Sequence, residues 1–293
     1  MRFTEIGQQL RAYRLESGLR AEEIAARLGV SRAALYRYEK GEVIKLDTIQ
    51  RLAELLKISP LSLLGIGVEY YNRPVGTLER TRQSEETADQ ILMLAGPFAY
   101  ITTTDRFDQA LAAAFEDAPD QPGIDRVAAR AAAEQILGIL AARKRAYNVR
   151  KPNIIAMIPA GRLRSFLEQG VGGGIEMHDR TRRLCREVAA LEAEHIAQMM
   201  EAEPMGLQFG LLPRAAPSAA FEIIRGRDRA TLIVNPFPTD THPAAAPGVA
   251  MVTAADEAIA AHQRVAEAHW REATKGTAAA AAVRKMIAES RAL

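Results

Sequence analysis

The stretch GVSRAALYRYEKG, residues 29–41, decides how this chain is read. Ser31 is a strong helix N-cap, because its short side chain can accept from an orphan backbone N–H, and Gly41 is a natural stop. Between them stand Arg32, Tyr36, Arg37, Tyr38 and Lys40. The preceding run, LRAEEIAARL (residues 19–28), has Ile24, Ala25 and Leu28 on helical spacing and ends at Gly29. The two runs read as helix, tight turn, helix. Ile24, Ala25, Leu28, Val30, Ala33, Leu35 and Tyr38 can pack inside, which leaves Arg32, Tyr36, Arg37 and Lys40 on the outside of the second helix. An ordinary bundle can also carry a solvated basic face, so these two helices do not settle the matter alone.

The flanks do. Upstream, Ile6, Leu10, Tyr13 and Leu15 give a first helix an apolar face, and Ser17-Gly18 stops it. Downstream, Asp47 precedes a fourth helix with Ile49, Leu52, Leu55 and Leu56 on helical spacing. Ser59-Pro60 then opens a short fifth through Leu64. Five short helices with brief links predict a compact bundle of low contact order.

The run LRAYRLESGLRAEEIAARLGVSRAALYRYEKGEVIKLDTIQRLAELLKISPLSLL resembles the Cro/C1-type (XRE) helix-turn-helix family, over about Ile6 to Leu64. The resemblance implies a five-helix DNA-binding domain. In such a motif the second helix enters the major groove, its early residues meet base edges, and basic residues lie near phosphates. Carried onto this sequence, Ser31, Arg32, Ala33, Tyr36 and Arg37 are expected at the groove. Arg20, Lys40 and Lys45 are expected at phosphates. Arg14 and Glu39 stand where the family has an arginine and a glutamate that pair across the bundle. One position departs from the pattern: the family's glutamine early in the second helix is replaced by Ala21, and Arg20 is expected to supply a phosphate contact in its place.

Residues 65–82, GIGVEYYNRPVGTLERTR, contain three glycines and a proline and keep no sustained period. They read as an interdomain connection with a short strand at VEYY. The domain division expected is 1–66 for the DNA-binding domain, 67–82 for the linker and 83–293 for a regulatory domain. In the remainder, ETADQILMLAG (86–96) reads as helical and FAYITTT (98–104) as a strand. Asp105 can cap a helix through Phe115, APDQPG (118–123) reads as a loop, and an Ala-rich helix runs from about Ile124 to Tyr147. NIIAMIPA (153–160) is a strand, followed by a short helix from Gly161 to Gln169 and a long one from Met177 to Ala202. MGLQFGLL, AAFEIIRG, RATLIVNPF and GVAMVT are strand candidates, the second and third joined as a hairpin through a tight GRD turn. A helix from Ala254 to Ala273 and a helical C-terminus complete the chain. Such mixing predicts an α/β or α+β domain with a mixed sheet.

The bulk properties narrow the function. A length of 293 residues suits two domains, and a net charge of +2 excludes a polybasic nucleic-acid coat. The first 65 residues hold eleven Lys/Arg against eight Asp/Glu, so any positive patch comes from placement rather than quantity. A single cysteine, Cys185, fits a reducing compartment, and no apolar run approaches the ~20 residues of a membrane span. A cytoplasmic protein without a secretory leader is expected. Three constellations in the larger part bear on chemistry. His262 and His269 share a helix face, but seven apart they lack the closer spacing of metal ligands. The glycine-rich GVGGG loop (170–174) lacks a P-loop lysine and reads as a loop. Cys185 near His178 and Asp179 has no catalytic signature and reads as an apolar helix position. Neither a catalytic set, a metal nor a cofactor is expected.

The expectation is therefore a homodimeric transcription regulator. It would read a palindromic operator in double-stranded DNA, and its larger domain would dimerise and sense a small-molecule effector whose pocket the sequence does not mark. Two other classes fit less well: an enzyme with a DNA-binding autoregulatory headpiece, and an antitoxin-like partner-binding regulator.

Overall fold

The computed structural model of the chain describes residues 3–64, 66–94, 96–118, 126–213, 220–237 and 248–291. Its first five helices are α1 (Phe3–Ser17), α2 (Ala21–Leu28), α3 (Arg32–Glu39), α4 (Leu46–Leu56) and α5 (Pro60–Leu63). Local chemistry sets their ends. Gly29 closes α2 in the left-handed region at φ 69°, and the Ser31 Oγ accepts from Ala34 N. Ser59 caps α5 in the same way, with Pro60 in its first turn. The helix α4 starts just before Asp47, with Lys45 as its N-cap, so Asp47 lies in the first turn, where its charge suits the helix dipole. Leu10, Ile24, Leu35, Leu52 and Leu63 are fully enclosed and form the centre of the bundle. Gly7 lets α1 touch the end of α3: a Cβ there would lie 2.5 Å from Tyr38 O and 2.6 Å from Glu39 O.

The larger part is built on a seven-stranded mixed sheet in the order β1-β7-β6-β5-β2-β3-β4. The strands are β1 (Val68–Tyr71), β2 (Ala88–Leu94), β3 (Asn153–Pro159), β4 (Leu207–Leu212), β5 (Ala220–Gly226), β6 (Ala230–Asn235) and β7 (Ala250–Thr253). β2, β3 and β4 are parallel, and the other neighbours pair antiparallel. Crossover helices link the parallel strands, as the geometry of parallel pairing requires. These are α7 (Asp105–Asp117) and α8 (Arg126–Arg150) before β3, and α9 (Ala160–Gln169) and α10 (Asp179–Ala202) before β4. Ile91, Ile154, Ala156 and Ile158 share one core with most of these helices. On the other face, Leu94, Met157, Phe221 and Ile223 pack with Ile259 and Ala266 of α11 (Asp256–Glu272). The chain closes with α12 (Gly276–Ser290).

Three segments differ from their sequence reading. Residues 88–94 are the central strand β2, not a helix: both faces are buried, so Ile91, Leu92, Met93 and Leu94 show no alternation. FAYITTT is not a strand. It holds a single 3-10 turn, in which Thr102 and Thr103 donate their hydroxyls to Ala99 O and Tyr100 O. Such local bonding competes with a ladder. Residues 67–82, expected as a linker, contain β1, which pairs with β7 at the sheet edge, and most of α6 (Pro74–Glu85). Nearly all of α6 is buried, charged residues included. Residues 119–123 of the expected loop, and the expected start of the next helix at Ile124, lie outside the described residues.

The α6 helix can be both charged and buried because each of its buried charges is paired, although the buried Oε1 of Gln83 has no hydrogen-bond partner. Glu69 on β1 accepts from Arg80 Nε at 2.9 Å and Nη2 at 3.1 Å, from Gln9 Nε2 at 2.6 Å and from the Tyr71 hydroxyl at 2.7 Å. Glu79 pairs with Arg82 on its own helix and with Arg11 of α1, at 2.8 Å in each case. Glu85 takes both arms of Arg143 from α8, at 2.8 and 2.7 Å. Glu16 of α1 accepts the Asn72 and Arg73 N–H groups at the N-terminus of α6, and Tyr13 stacks on Tyr71 at 5.0 Å. The five-helix bundle is thus bolted to the sheet by the face of α1 that its own core does not use.

Candidate nucleic-acid interface

The helix α3 presents Arg32, Ala33 and Arg37 to solvent, preceded by its exposed cap Ser31 and followed by the exposed Lys40. Tyr36 is half-buried. Ala33, which the helical pattern also allowed inside, lies at the surface, where a methyl suits a groove rather than the core. Arg20 and Lys45 are exposed at the N-caps of α2 and α4.

Two acidic residues that the sequence reading did not mark hold the two arginines expected at the groove. Arg32 pairs with Glu22 of α2 at 2.6 Å, and Arg37 pairs with Glu42 at 3.1 Å. All four side chains are more than half exposed, and such pairs contribute little to stability. A phosphate or a guanine edge can take these arginines over at small cost. Tyr36 sets the aim of Arg32: its hydroxyl accepts from the guanidinium at 3.2 and 3.3 Å, and the guanidinium carbon sits 5.3 Å from the ring centre.

Behind this surface lies the expected pair. Arg14 of α1 donates to Glu39 of α3 through Nε at 2.5 Å and Nη2 at 3.1 Å, with Glu39 buried. The pair is bidentate, which fixes the orientation of α3 as well as its position. Glu39→Ala is expected to remove about 2 kcal/mol of stability, less than for a pair buried on both sides, by leaving Arg14 half-enclosed and unpaired. Chemical denaturation checks the figure, and a wild-type midpoint would show that the pair does not hold the bundle.

In the larger part, the constellations weighed earlier stay apart. His262 Nδ1 donates to Ala258 O and the ring rests edge-on against Phe221, while His269 is half-buried on the same helix. Among the described residues no group of three or more His, Cys, Asp or Glu is placed to hold a metal ion. Cys185 is fully buried, and burial pushes its thiol up to about 11. His178 bonds Asp117 at 2.6 Å. In the GVGGG loop, Gly170 packs directly on the α10 backbone, where a Cβ would lie 2.8 Å from Arg186 N. No described helix is long and apolar enough to cross a membrane.

Comparison with known proteins agrees with this geometry. Residues 5–63 match a family model described as a helix-turn-helix domain. No curated protein matches the chain significantly.

Proposed function

We propose that this chain, whose residues 5–63 are a helix-turn-helix domain of the Cro/C1 (XRE) type, is a homodimeric one-component transcription regulator of the cytoplasm. The observation that carries the reading is the exposed, basic α3 with Arg32 and Arg37 loosely held at its surface, on a bundle locked from behind by Arg14 and Glu39. Residues 67–293, from β1 onward, would then be the regulatory part, a sensor and dimerisation module rather than an enzyme.

Dimerisation follows from the size of the readout. One recognition helix spans few base pairs, and useful specificity comes from two half-sites about one helical turn, ~34 Å, apart. The α10 helix offers a contact surface. Leu184 and Leu191, each 44% exposed, lie on one face. Arg180, Arg183 and Arg186 occupy the N-terminal half of this helix, and Glu194 and Glu201, both bonded to Arg284 of α12, the C-terminal half. Two copies laid antiparallel would set unlike charges against each other.

Footprinting of the purified protein on its own upstream DNA tests the reading, with and without metabolite extract. A protected, two-fold symmetric site is expected, and absence of any protected site would sink the proposal. Within such a site, Arg37→Ala is expected to weaken binding by ~1–3 kcal/mol and relax the preference at one base pair, while melting stays unchanged because the side chain is exposed. Undiminished binding by this variant would mean that α3 is not the reading helix.

A further inference from the structure

A cavity of about 330 Å³ opens where the end of α10, the start of β4 and the α11–α12 junction meet. Its lining mixes the apolar side chains of Met199, Leu207, Phe209 and Trp270 with the polar ones of Glu203, Gln208 and Lys275. Trp270 can approach the strand closely because position 210 is glycine: a Cβ there would come within 2.9 Å of the indole. The volume is at the small end of those that hold organic ligands.

The cavity sits on the free edge of the sheet. Ile154 N donates to Gly206 O, so the even-numbered residues of β4 face β3 and the odd-numbered ones face outward. Leu211 pairs outward with Thr274, and the Leu207 N–H turns back to Pro204 O. Between them, the N–H and C=O of Phe209 face the open edge beside the cavity. Lys275 donates to Trp270 O at 2.6 Å and Ala273 O at 3.1 Å, and an ammonium has a third proton to give. Glu203 ends α10 at φ 42° with its Oε1 against Gly276, so a carboxylate and an ammonium flank the same rim.

One donor and one acceptor from the backbone, one cation, one anion and a few apolar side chains at one site suit a zwitterion with an apolar side chain. We propose that this cavity binds a free apolar α-amino acid. Its carboxylate meets Lys275 and the Phe209 N–H, its ammonium meets Glu203 and the Phe209 C=O, and its side chain fills the space between Met199, Leu207 and Trp270. The inference rests on the regulator reading only in making this ligand the effector; binding itself is independent of DNA.

Trp270 is the sole tryptophan of the chain, so its emission reports on the cavity directly. The full chain, without DNA, is titrated with L-leucine, L-methionine and L-phenylalanine, and with isocaproate and isoamylamine, which lack the amine and the carboxylate of leucine. Equilibrium dialysis with labelled leucine covers a spectrally silent site. A saturable response to at least one amino acid is expected, with both truncated analogues at least tenfold weaker than leucine. Glu203→Gln should weaken leucine and leave isocaproate unchanged. Absence of binding for all three amino acids, or isocaproate binding as tightly as leucine, overturns the proposal and leaves the DNA-binding reading intact. Conversely, a chain that binds leucine but protects no DNA would sink that reading alone.

Discussion

Glu69→Ala is expected to cost about 3–5 kcal/mol of unfolding free energy. Glu69 is 5% and Arg80 4% exposed, so the guanidinium left behind has no water to turn to. It would keep a hydrogen bond to Ser84 but lose its only counter-charge among the described residues. Gln9 and Tyr71 would lose their acceptor as well. The effect should reach DNA binding, because Gln9 belongs to α1, the helix that also carries Arg14. Replacing both members of the pair, Glu69→Leu with Arg80→Leu, should recover a large part of the loss, since a buried ion pair swapped for apolar residues is often neutral. Denaturant unfolding of the single and double variants decides the point. A single variant within 1 kcal/mol of wild type, or a double variant worse than the single, would mean that the charges are not buried as a pair.

Why the sequence showed the headpiece so well and the junction so poorly has a physical cause. Helices α1 to α5 are fixed by short-range signals: an apolar face every three or four residues, Ser31 and Ser59 as caps, Gly29 as a left-handed stop. Each can be read within a few residues of where it acts. The α6 helix carries Glu79 and Arg80 within a stretch that in isolation reads as a breaker-rich connection, and Gln83 and Glu85 just after it. Their burial depends on partners far along the chain: Gln9 lies 60 residues from Glu69, and Arg143 lies 58 from Glu85. No local pattern contains that information. The same holds for Glu22 and Glu42, whose pairing with Arg32 and Arg37 depends on how the turns bring side chains together. The cavity is assembled from the α10–β4 turn and the α11–α12 turn, about 70 residues apart in a chain whose entropy cost for such closure gives no local sign. Among the strands, β2 failed because a central strand buried on both faces loses the alternation that marks a strand.

The junction also constrains how a regulator of this build would work. A headpiece on a flexible tether samples many half-site spacings, and dimerisation elsewhere would then add little more than local concentration. Here α1 serves both the bundle and the sheet. Its Arg14 orients α3, while its Gln9, Arg11 and Glu16 reach α6 and β1. The separation of two recognition helices in a dimer would therefore be set by the geometry of the larger domains. A ligand that shifts the α10–α12 packing would be felt at the DNA through rigid elements, not through a loosened linker.

Glu222 alone is expected to take roughly 3 kcal/mol from the stability of the chain as pH rises from about 4.5 to about 7. Glu222 lies on β5 beside the Glu85–Arg143 pair, and its Oε2 is enclosed with no hydrogen-bond partner. Burial raises its proton affinity first. Arg143 opposes that rise and Glu85 adds to it, leaving the group at about 7 against an ordinary 4.5. Arg143 is already committed to Glu85 with both arms, so a second carboxylate in the same pocket is better off protonated. Below the ordinary value the group is protonated folded or unfolded, and it adds no slope. Between the two values the folded chain holds a proton that the unfolded chain has released, so raising the pH favours unfolding. Above about 7 both states are ionised and the loss is complete. Glu222→Gln keeps the shape without the titration. The difference in unfolding free energy between variant and wild type should therefore grow with pH in the variant's favour across this window and then level off. Carboxylates held low, such as Glu79, slope the other way but cancel in that difference. A constant difference between pH 4.5 and 8 would mean that Glu222 is ionised in the folded chain, with Arg143 divided between two carboxylates.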